Sequence, residues 1–186
     1  MITFAVRRLV AVSSLLVASA SLHAQSATPP AANVPANPAD VSSIDNIITA
    51  LYAVISGPVG QPRQWDRFAS LMHPQSRLSP TGCPPTGPCG VRTWTSAEYR
   101  QRVDSSLTAI GFREVELVKR VERYGNVAHA FSSYASFRGT ETTPFSRGIN
   151  SIQLFWDGTR WWIYSIFWDS ERPGNPLPAD FTGGKP

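Results

Sequence analysis

The run FSRGINSIQLFWDGTRWWIYSIFWDS, residues 145–170, predicts a β-hairpin near the end of the chain. Its two halves, 145–157 and 160–170, are rich in the β-branched and aromatic side chains that favour strands. Asp157-Gly158 lies between them, and this dipeptide is a strong hairpin signal because both residues tolerate a positive φ. The run therefore indicates two antiparallel strands that are neighbours in a sheet.

A second strand pair is predicted just upstream. Residues 113–124 and 126–138 are rich in strand-forming side chains, and Gly125-Asn126 between them supplies another turn. Before residue 112 the apolar period is helical, with hydrophobic residues three and four apart. The predicted helices run from the Ser42/Asp45 cap to Gly57-Pro58, from Trp65 to His73-Pro74, and from the Thr95/Glu98 capping box to Gly111. Helices followed by an antiparallel meander define an α+β class.

The final predicted strand is apolar on both faces. A sheet with one side in water should instead alternate between apolar and polar residues. One predicted face carries Trp161, Ile163, Ser165 and Phe167, and the other carries Trp162, Tyr164, Ile166 and Trp168. Helices can cover only one of these faces, so we expect a second copy of the chain to cover the other in a homodimer.

The first 24 residues are typical of a secretory signal peptide. Arg7 and Arg8 precede an apolar stretch, Leu9–Leu22, and small residues offer cleavage after Ala20 or Ala24. That stretch is shorter than the roughly 20 apolar residues a membrane span needs. The sequence thus predicts a periplasmic or secreted protein with no membrane attachment after cleavage, and an uncleaved anchor is the alternative.

Composition divides the rest of the chain into three parts. Residues 25–40 are an Ala/Pro-rich linker, 41–172 form the predicted domain, and 173–186 form an irregular tail. The net charge of +4 falls to +2 once Arg7 and Arg8 are removed with the leader. The remaining basic residues alternate with acidic ones, as in 113–116, which predicts a solvated strand face rather than the basic patch of a nucleic-acid-binding protein.

Cys83 and Cys89 are the only cysteines. In an oxidising compartment a close, even pair predicts a disulfide, and the turn-forming residues 84–88 can bring the two ends together. We expect this bond to staple a long loop. The two cysteines have no histidine at a metal-ligand spacing, so no metal site is expected.

Four segments resemble the nuclear transport factor 2-like superfamily, which includes ketosteroid isomerase, scytalone dehydratase and polyketide cyclases. The segments are Ile47–Tyr52, Trp65–Pro74, Arg147–Leu154 and Trp156–Ile163. The resemblance implies N-terminal helices packed in the concave side of a strongly bent, antiparallel or mixed sheet that forms a cone-shaped barrel. It also implies a pocket at the open end and a homodimer. Since this fold hosts many roles, the resemblance is informative about fold rather than reaction.

In isomerase-like members of that superfamily, a tyrosine on the first helix donates to an oxyanion, and a carboxylate base lies where the second helix meets the first strand. Tyr52 occupies a similar helix position. The stretch that corresponds to the base, residues 75–80, contains no Asp or Glu. Removal of a proton next to a carbonyl needs a general base, and none is present in this stretch, so the sequence does not favour an isomerase.

Seven residues are candidates for lining a pocket. They are Tyr52, Trp65, His73, Tyr99, Arg147, Asn150 and Trp168. Aromatic residues whose hydroxyl or indole N–H can bind a ligand are usual in small-molecule sites. Arg147 and Asn150 are candidates because they are polar groups within an apolar strand and could bind a ligand carboxylate or hydroxyl. Each also has an ordinary structural interpretation, such as core packing or, for His73, a helix C-terminus.

The leading hypothesis is an exported, dimeric domain that binds a small apolar or aromatic molecule. One alternative is a lyase, isomerase or cyclase that uses Tyr52 and His73. Another is a structural interaction module whose interior is filled by its own aromatic residues. No phosphate loop, dinucleotide fingerprint or nucleophile elbow occurs in the sequence, so no cofactor is expected.

Overall fold

A computed structural model describes residues 35–184. The predicted signal peptide and residues 25–34 of the predicted linker lie outside this range. The helices are α1 (Pro38–Val41), α2 (Ile44–Ile55), α3 (Trp65–Leu71) and α4 (Ser96–Ile110), and a 3-10 helix spans Ala179–Phe181. The strands are β1 (Met72–Gly82), β2 (Gly90–Val91), β3 (Phe112–Tyr124), β4 (Val127–Arg138), β5 (Ser146–Trp156) and β6 (Trp161–Ser170). None of the helices between residues 35 and 184 has the length and hydropathy of a membrane span.

The six strands form one mixed sheet in the order β2-β1-β6-β5-β4-β3. Strand β1 runs parallel to β6, and every other neighbouring pair is antiparallel. The predicted α+β class and the meander β3–β6 are therefore confirmed. Because β2 and β3 lie at opposite edges, the sheet is open, and the structure does not show the strongly bent, barrel-like cone that the resemblance implies.

The expectation of a long loop between α3 and α4 was wrong. Residues 72–82 and 90–91 pair as β1 and β2, and the Cys83–Cys89 disulfide closes the connection between them. Pro74 and Pro80 make this segment a poor strand former by composition. Pairing with β6 overrides that preference, and the register of the pair shifts between Met72 and Arg77. The disulfide itself is confirmed.

Local signals position the helix ends. Thr95 and Glu98 form the capping box that begins α4, and Gly111 ends this helix in the left-handed region at φ 63°. Helix α2 begins one residue later than the predicted cap, because the Ser43 side chain accepts a hydrogen bond from Asn46 N at 3.1 Å. Ser42 instead follows the short helix α1.

The core lies between the helices and one face of the sheet, here called the inner face. Ile47, Ile48 and Val54 of α2 are fully buried, as are Ile152 of β5 and Ile163 of β6. The predicted division of β6 into two faces was wrong after Ile163. Ile163 pairs with Leu154 while Ser165 pairs with Gln153, so Tyr164 forms a bulge and later residues change face. Ile166 therefore joins Trp161 and Ile163 in the core, and Tyr164 and Phe167 are exposed.

The opposite side, the outer face, is partly covered by the end of the chain. Phe181 is buried and packs edge-on against Phe131 with 5.5 Å between ring centroids. The Ser133 hydroxyl donates to the Phe181 carbonyl oxygen at 2.7 Å, and Arg120 pairs with Asp180. Contacts thus extend into the predicted tail, and Asp40, at the end of the predicted linker, forms an ion pair with Arg67.

Candidate functional site

A cavity of about 340 Å³ lies between the helices and the inner face of the sheet. Helices α2, α3 and α4 and all the long strands contribute to its wall. Seven aromatic residues line it, namely Phe68, Trp94, Tyr99, Phe112, Tyr134, Phe145 and Trp168. Aliphatic side chains such as Leu51, Ile55 and Val103 complete a mostly apolar surface. This composition is usual for a site that binds a small organic molecule.

Glu114 is the one charged residue among the described residues that line the cavity. It follows Phe112 by two positions on β3, so the pleat places both side chains on the inner face. The Ser136 hydroxyl donates to Glu114 Oε2 at 2.8 Å. Burial raises the pKa of Glu114 to about 7, although its interactions with Ser136 and Asn150 act in the opposite direction.

Tyr99 presents the second polar group to the cavity. Its ring lies within 5.7–6.5 Å of the rings of Phe68, Trp94 and Trp168, which fix its position on α4. No described residue forms a hydrogen bond with its hydroxyl. Burial is the main cause that raises the pKa of Tyr99, and the nearby Glu114 adds to it, so the phenol stays protonated at neutral pH.

A hydrogen-bonded chain runs behind the cavity wall from β5 to β3. The Ser132 hydroxyl donates to Glu116 Oε1 at 2.6 Å, and the Tyr52 hydroxyl lies 2.7 Å from Ser132 Oγ. The single hydroxyl proton of Ser132 is used in the hydrogen bond to Glu116. Ser132 can therefore only accept from Tyr52, so the Tyr52 hydroxyl is the donor of that bond. Asn150 Nδ2 then donates to the Tyr52 hydroxyl oxygen at 3.2 Å. These directions fix the orientation of the Asn150 amide, which faces the cavity.

Glu114 and Glu116, two of the three glutamates of β3, differ in their surroundings. Lys119 Nζ lies 3.3 Å from Glu116 Oε2 and 2.9 Å from Asp45 Oδ1, so Glu116 belongs to an ion-pair cluster at the surface. Glu114 forms no ion pair with any residue between 35 and 184. Of these two carboxylates, the one that lines the cavity is therefore the one without a cationic partner among residues 35–184.

Three of the seven candidate residues, Tyr99, Asn150 and Trp168, line the cavity. Tyr52 contacts Asn150 from behind the wall. Trp65 lies in the next layer, with its ring centroid 5.4 Å from that of Phe68. The structure thus brings these five residues into one region of the inner face.

The other two candidates lie elsewhere. The His73 ring packs among Phe155, Trp162 and Tyr164 at centroid distances of 5.2–6.2 Å, away from the cavity wall. Arg147 forms a two-point ion pair with Glu171, at 2.7 Å and 3.0 Å. The structure consequently does not bring His73 together with Tyr52. Across residues 35–184, no three potential metal ligands converge.

Sequence reasoning missed Glu114. The alternation of charge in Arg113-Glu114-Val115-Glu116 was interpreted as a solvated strand face, and the carboxylate was sought only in residues 75–80. The signal that could have found it is the period of two that places Glu114 on the same side as Phe112. The paired strand supports this, because Tyr134 and Ser136 repeat the same period opposite it.

Neither a family model nor a curated protein matches the chain. Among solved structures, a protein of unknown function with a cystatin-like fold from Nostoc punctiforme is similar, with a TM-score of 0.54, 11% identity and coverage of 73% of this chain and 92% of that one. A protein of unknown function from Mycobacterium tuberculosis has a TM-score of 0.54, 14% identity and coverage of 75% and 80%. These likenesses show the fold alone.

A third solved structure is a nuclear transport factor 2-like protein of unknown function from Methylobacillus flagellatus. Its TM-score is 0.46 at 14% identity, with coverage of 70% of this chain and 95% of that chain. This similarity is too low to support an argument about the site.

Replacing Glu114 by Gln should stabilise the protein at pH 8 but have little effect at pH 4.5. Because the folded-state pKa of Glu114, about 7, lies above its ordinary 4.5, the native protein keeps a proton that the unfolded chain loses. The wild type therefore loses stability as the pH rises between these values, by on the order of 3 kcal/mol. Urea unfolding of both proteins across this range measures the difference. Glu122→Gln, on an exposed part of β3, is the control, and a pH-independent difference for Glu114→Gln would contradict the assignment.

Proposed function

We propose that this chain is a ligand-binding domain whose ligand, a small molecule with a largely apolar body, occupies the cavity. The observation that carries the proposal is an open volume of about 340 Å³ with aromatic walls and one carboxylate that has no ion-pair partner between residues 35 and 184. The apolar body would lie against rings such as Phe68 and Phe112. Its polar end would lie at Glu114 and Tyr99.

Unused hydrogen-bonding capacity supports this placement. Glu114 accepts one hydrogen bond from Ser136, although a carboxylate can accept about four. The Tyr99 hydroxyl has no partner among residues 35–184, whereas Tyr134 is already hydrogen-bonded to Ser170 at 3.1 Å. Because both groups line the open cavity, a ligand that forms hydrogen bonds with Glu114 and Tyr99 gains affinity as well as orientation.

The open volume favours ligand binding over the interaction-module hypothesis. In such a module the aromatic side chains would fill the interior themselves. Here Trp65 and Phe68 pack together, and Tyr99 packs on both, yet space remains between Tyr99 and the sheet. Side chains at protein interiors are normally packed to crystal-like density, so a hollow of this size has to be a site or a defect.

Acid–base catalysis is the second candidate function. A pKa of about 7 would let Glu114 accept and return a proton at neutral pH, as a general base requires. Glu114 would take this role in place of the Tyr52 and His73 pair, since His73 lies away from the cavity. Turnover that is lost in Glu114→Gln while ligand affinity is kept would favour this candidate.

The proposal includes export, membership of the nuclear transport factor 2-like superfamily and dimerisation through the outer face. The Cys83–Cys89 disulfide supports an oxidising compartment. The four sequence segments that resemble the superfamily support membership, and helices packed on one face of a mixed sheet agree with it. Phe131, Tyr164 and Phe167 are 37–47% exposed on the outer face, which supports a second copy as their cover.

A cavity-filling substitution tests ligand binding. We expect the wild type to bind the neutral fluorophore N-phenyl-1-naphthylamine, and Val103→Trp to weaken binding about tenfold or more because the indole occupies the cavity. Fluorescence titration measures the affinity. Val121→Trp, at an exposed position on β3, is the control. Ser146→Phe fills the cavity from another wall. If both Val103→Trp and Ser146→Phe bind the fluorophore as tightly as the wild type does, the fluorophore binds elsewhere and the proposal is wrong.

Charge on the outer face tests the dimer. The double substitution Tyr164→Glu, Phe167→Glu should convert a dimer into a monomer, since two carboxylates would be buried against the partner. Sedimentation velocity at micromolar concentrations measures the oligomeric state. Tyr124→Glu, at a residue 88% exposed in the β3–β4 hairpin, should leave the dimer intact. A monomeric wild type would refute this part of the proposal.

A further inference from the structure

The charge of the cavity is unbalanced. Its lining contains Glu114 and the neutral polar residues Ser136, Ser146, Asn150 and Ser170, but no Lys, Arg or His among residues 35–184. Several other partly buried carboxylates have cationic partners, although Asp104, outside the cavity lining, forms no ion pair between residues 35 and 184. Asp40 pairs with Arg67, Glu116 with Lys119, and Glu171 with Arg147. Glu114 departs from this pattern, and its carboxylate lines the cavity.

The aromatic walls favour a positively charged ligand, as the unpaired carboxylate does. The face of an aromatic ring carries partial negative charge and attracts a cation within about 6 Å of its centroid. Seven rings line the cavity, and those of Tyr99 and Trp168 are 6.3 Å apart at right angles. Aromatic rings beside an uncompensated carboxylate are the combination that recognises ammonium groups.

We infer that the ligand is an organic cation, an ammonium ion with an apolar body, whose charged end lies against Glu114. This inference rests on the proposed function and names the ligand class for that cavity. The ammonium group supplies the positive charge that the lining lacks. Where it carries hydrogens, it donates to Glu114 and to the hydroxyl oxygen of Tyr99. The apolar body fills the space between Phe68, Phe112 and Trp168.

Binding of such a cation depends on pH. The titratable groups that face Glu114 are Tyr52 on α2, Tyr99 on α4 and Tyr134 on β4, with Glu116 two positions away on its own strand. Burial raises the pKa of each of these phenols, so all three stay neutral below pH 9. Glu114 is therefore the group that changes charge between pH 5.5 and 8, and affinity for a cation rises as it ionises.

Two arginines near the cavity would instead favour a negatively charged ligand. Arg102 stacks on Trp94 at 5.1 Å, and Arg138 stacks on Phe145 at 4.2 Å. Both guanidinium groups belong to exposed residues, so water and salt screen their fields. Glu114 lies among apolar residues that line the cavity, where a charge interacts more strongly than at the surface. The carboxylate therefore determines which charge is accepted inside.

Three probes of similar shape and different charge test the inference. They are phenyltrimethylammonium, tert-butylbenzene and benzenesulfonate, each titrated into the wild-type protein at pH 8 and followed by NMR chemical shifts of cavity residues. We expect the cation to bind about tenfold more tightly than the neutral probe. Its affinity should rise several-fold from pH 5.5 to 8. Glu114→Gln should abolish both effects, and Glu122→Gln should keep them.

The outcomes separate the inference from the proposed function. If tert-butylbenzene binds as tightly as the cation, the charge inference is overturned and the binding cavity stands. Tightest binding of benzenesulfonate also overturns it and places the anion with Arg102 and Arg138. If no probe shifts the cavity residues, both the inference and the proposed function fail. Should Glu114→Gln not fold, the pH dependence in the wild type still decides, because a pH-independent affinity contradicts a role for Glu114.

Discussion

The hydroxyl of Tyr52 ties helix α2 to the inner face of the sheet. Through Ser132 and Asn150 it reaches β4 and β5, and Ser132 extends the link to Glu116 on β3. Because this hydroxyl is buried, its partners would lose hydrogen bonds that no water could replace if the helix moved. The position of α2 and the orientation of the Asn150 amide are consequently fixed together, and the polar end of the cavity takes its geometry from this link.

Two glutamates on one strand then acquire different properties. Glu116 ends the hydrogen-bonded chain and is neutralised by Lys119 at the surface. Glu114, two positions earlier, faces the hollow that the helices leave open, and burial raises its pKa to about 7. The first glutamate helps to hold the fold, and the second stays available to a ligand. The desolvated carboxyl group of Glu114 lowers the free energy of unfolding. Such a loss is common where a binding group has to stay without a partner in the folded protein.

The sequence predicted what depends on local chemistry. The Thr95/Glu98 capping box, the end of α4 at Gly111 and the turns that join β3 to β4 and β5 to β6 follow from neighbouring residues. What it missed depends on tertiary pairing. Strand β1 forms only because β6 lies beside it, and the Tyr164 bulge that reverses the faces of β6 has no residue signature. Tyr99, Asn150 and Trp168 were found by residue type, whereas Glu114 required knowing which side of β3 faces the helices.

The most direct test of this account is the titration of the Glu114 carboxyl carbon by ¹³C NMR in the ligand-free protein, assigned by comparison with Glu114→Gln. The account predicts a midpoint near pH 7, because the carboxyl group is desolvated and lacks a cationic partner in the described part of the chain. A midpoint near 4.5, the ordinary value for glutamate, would show that water solvates the group freely. In that case the desolvation of Glu114 in the cavity, and the ligand class inferred from its charge, would both be wrong.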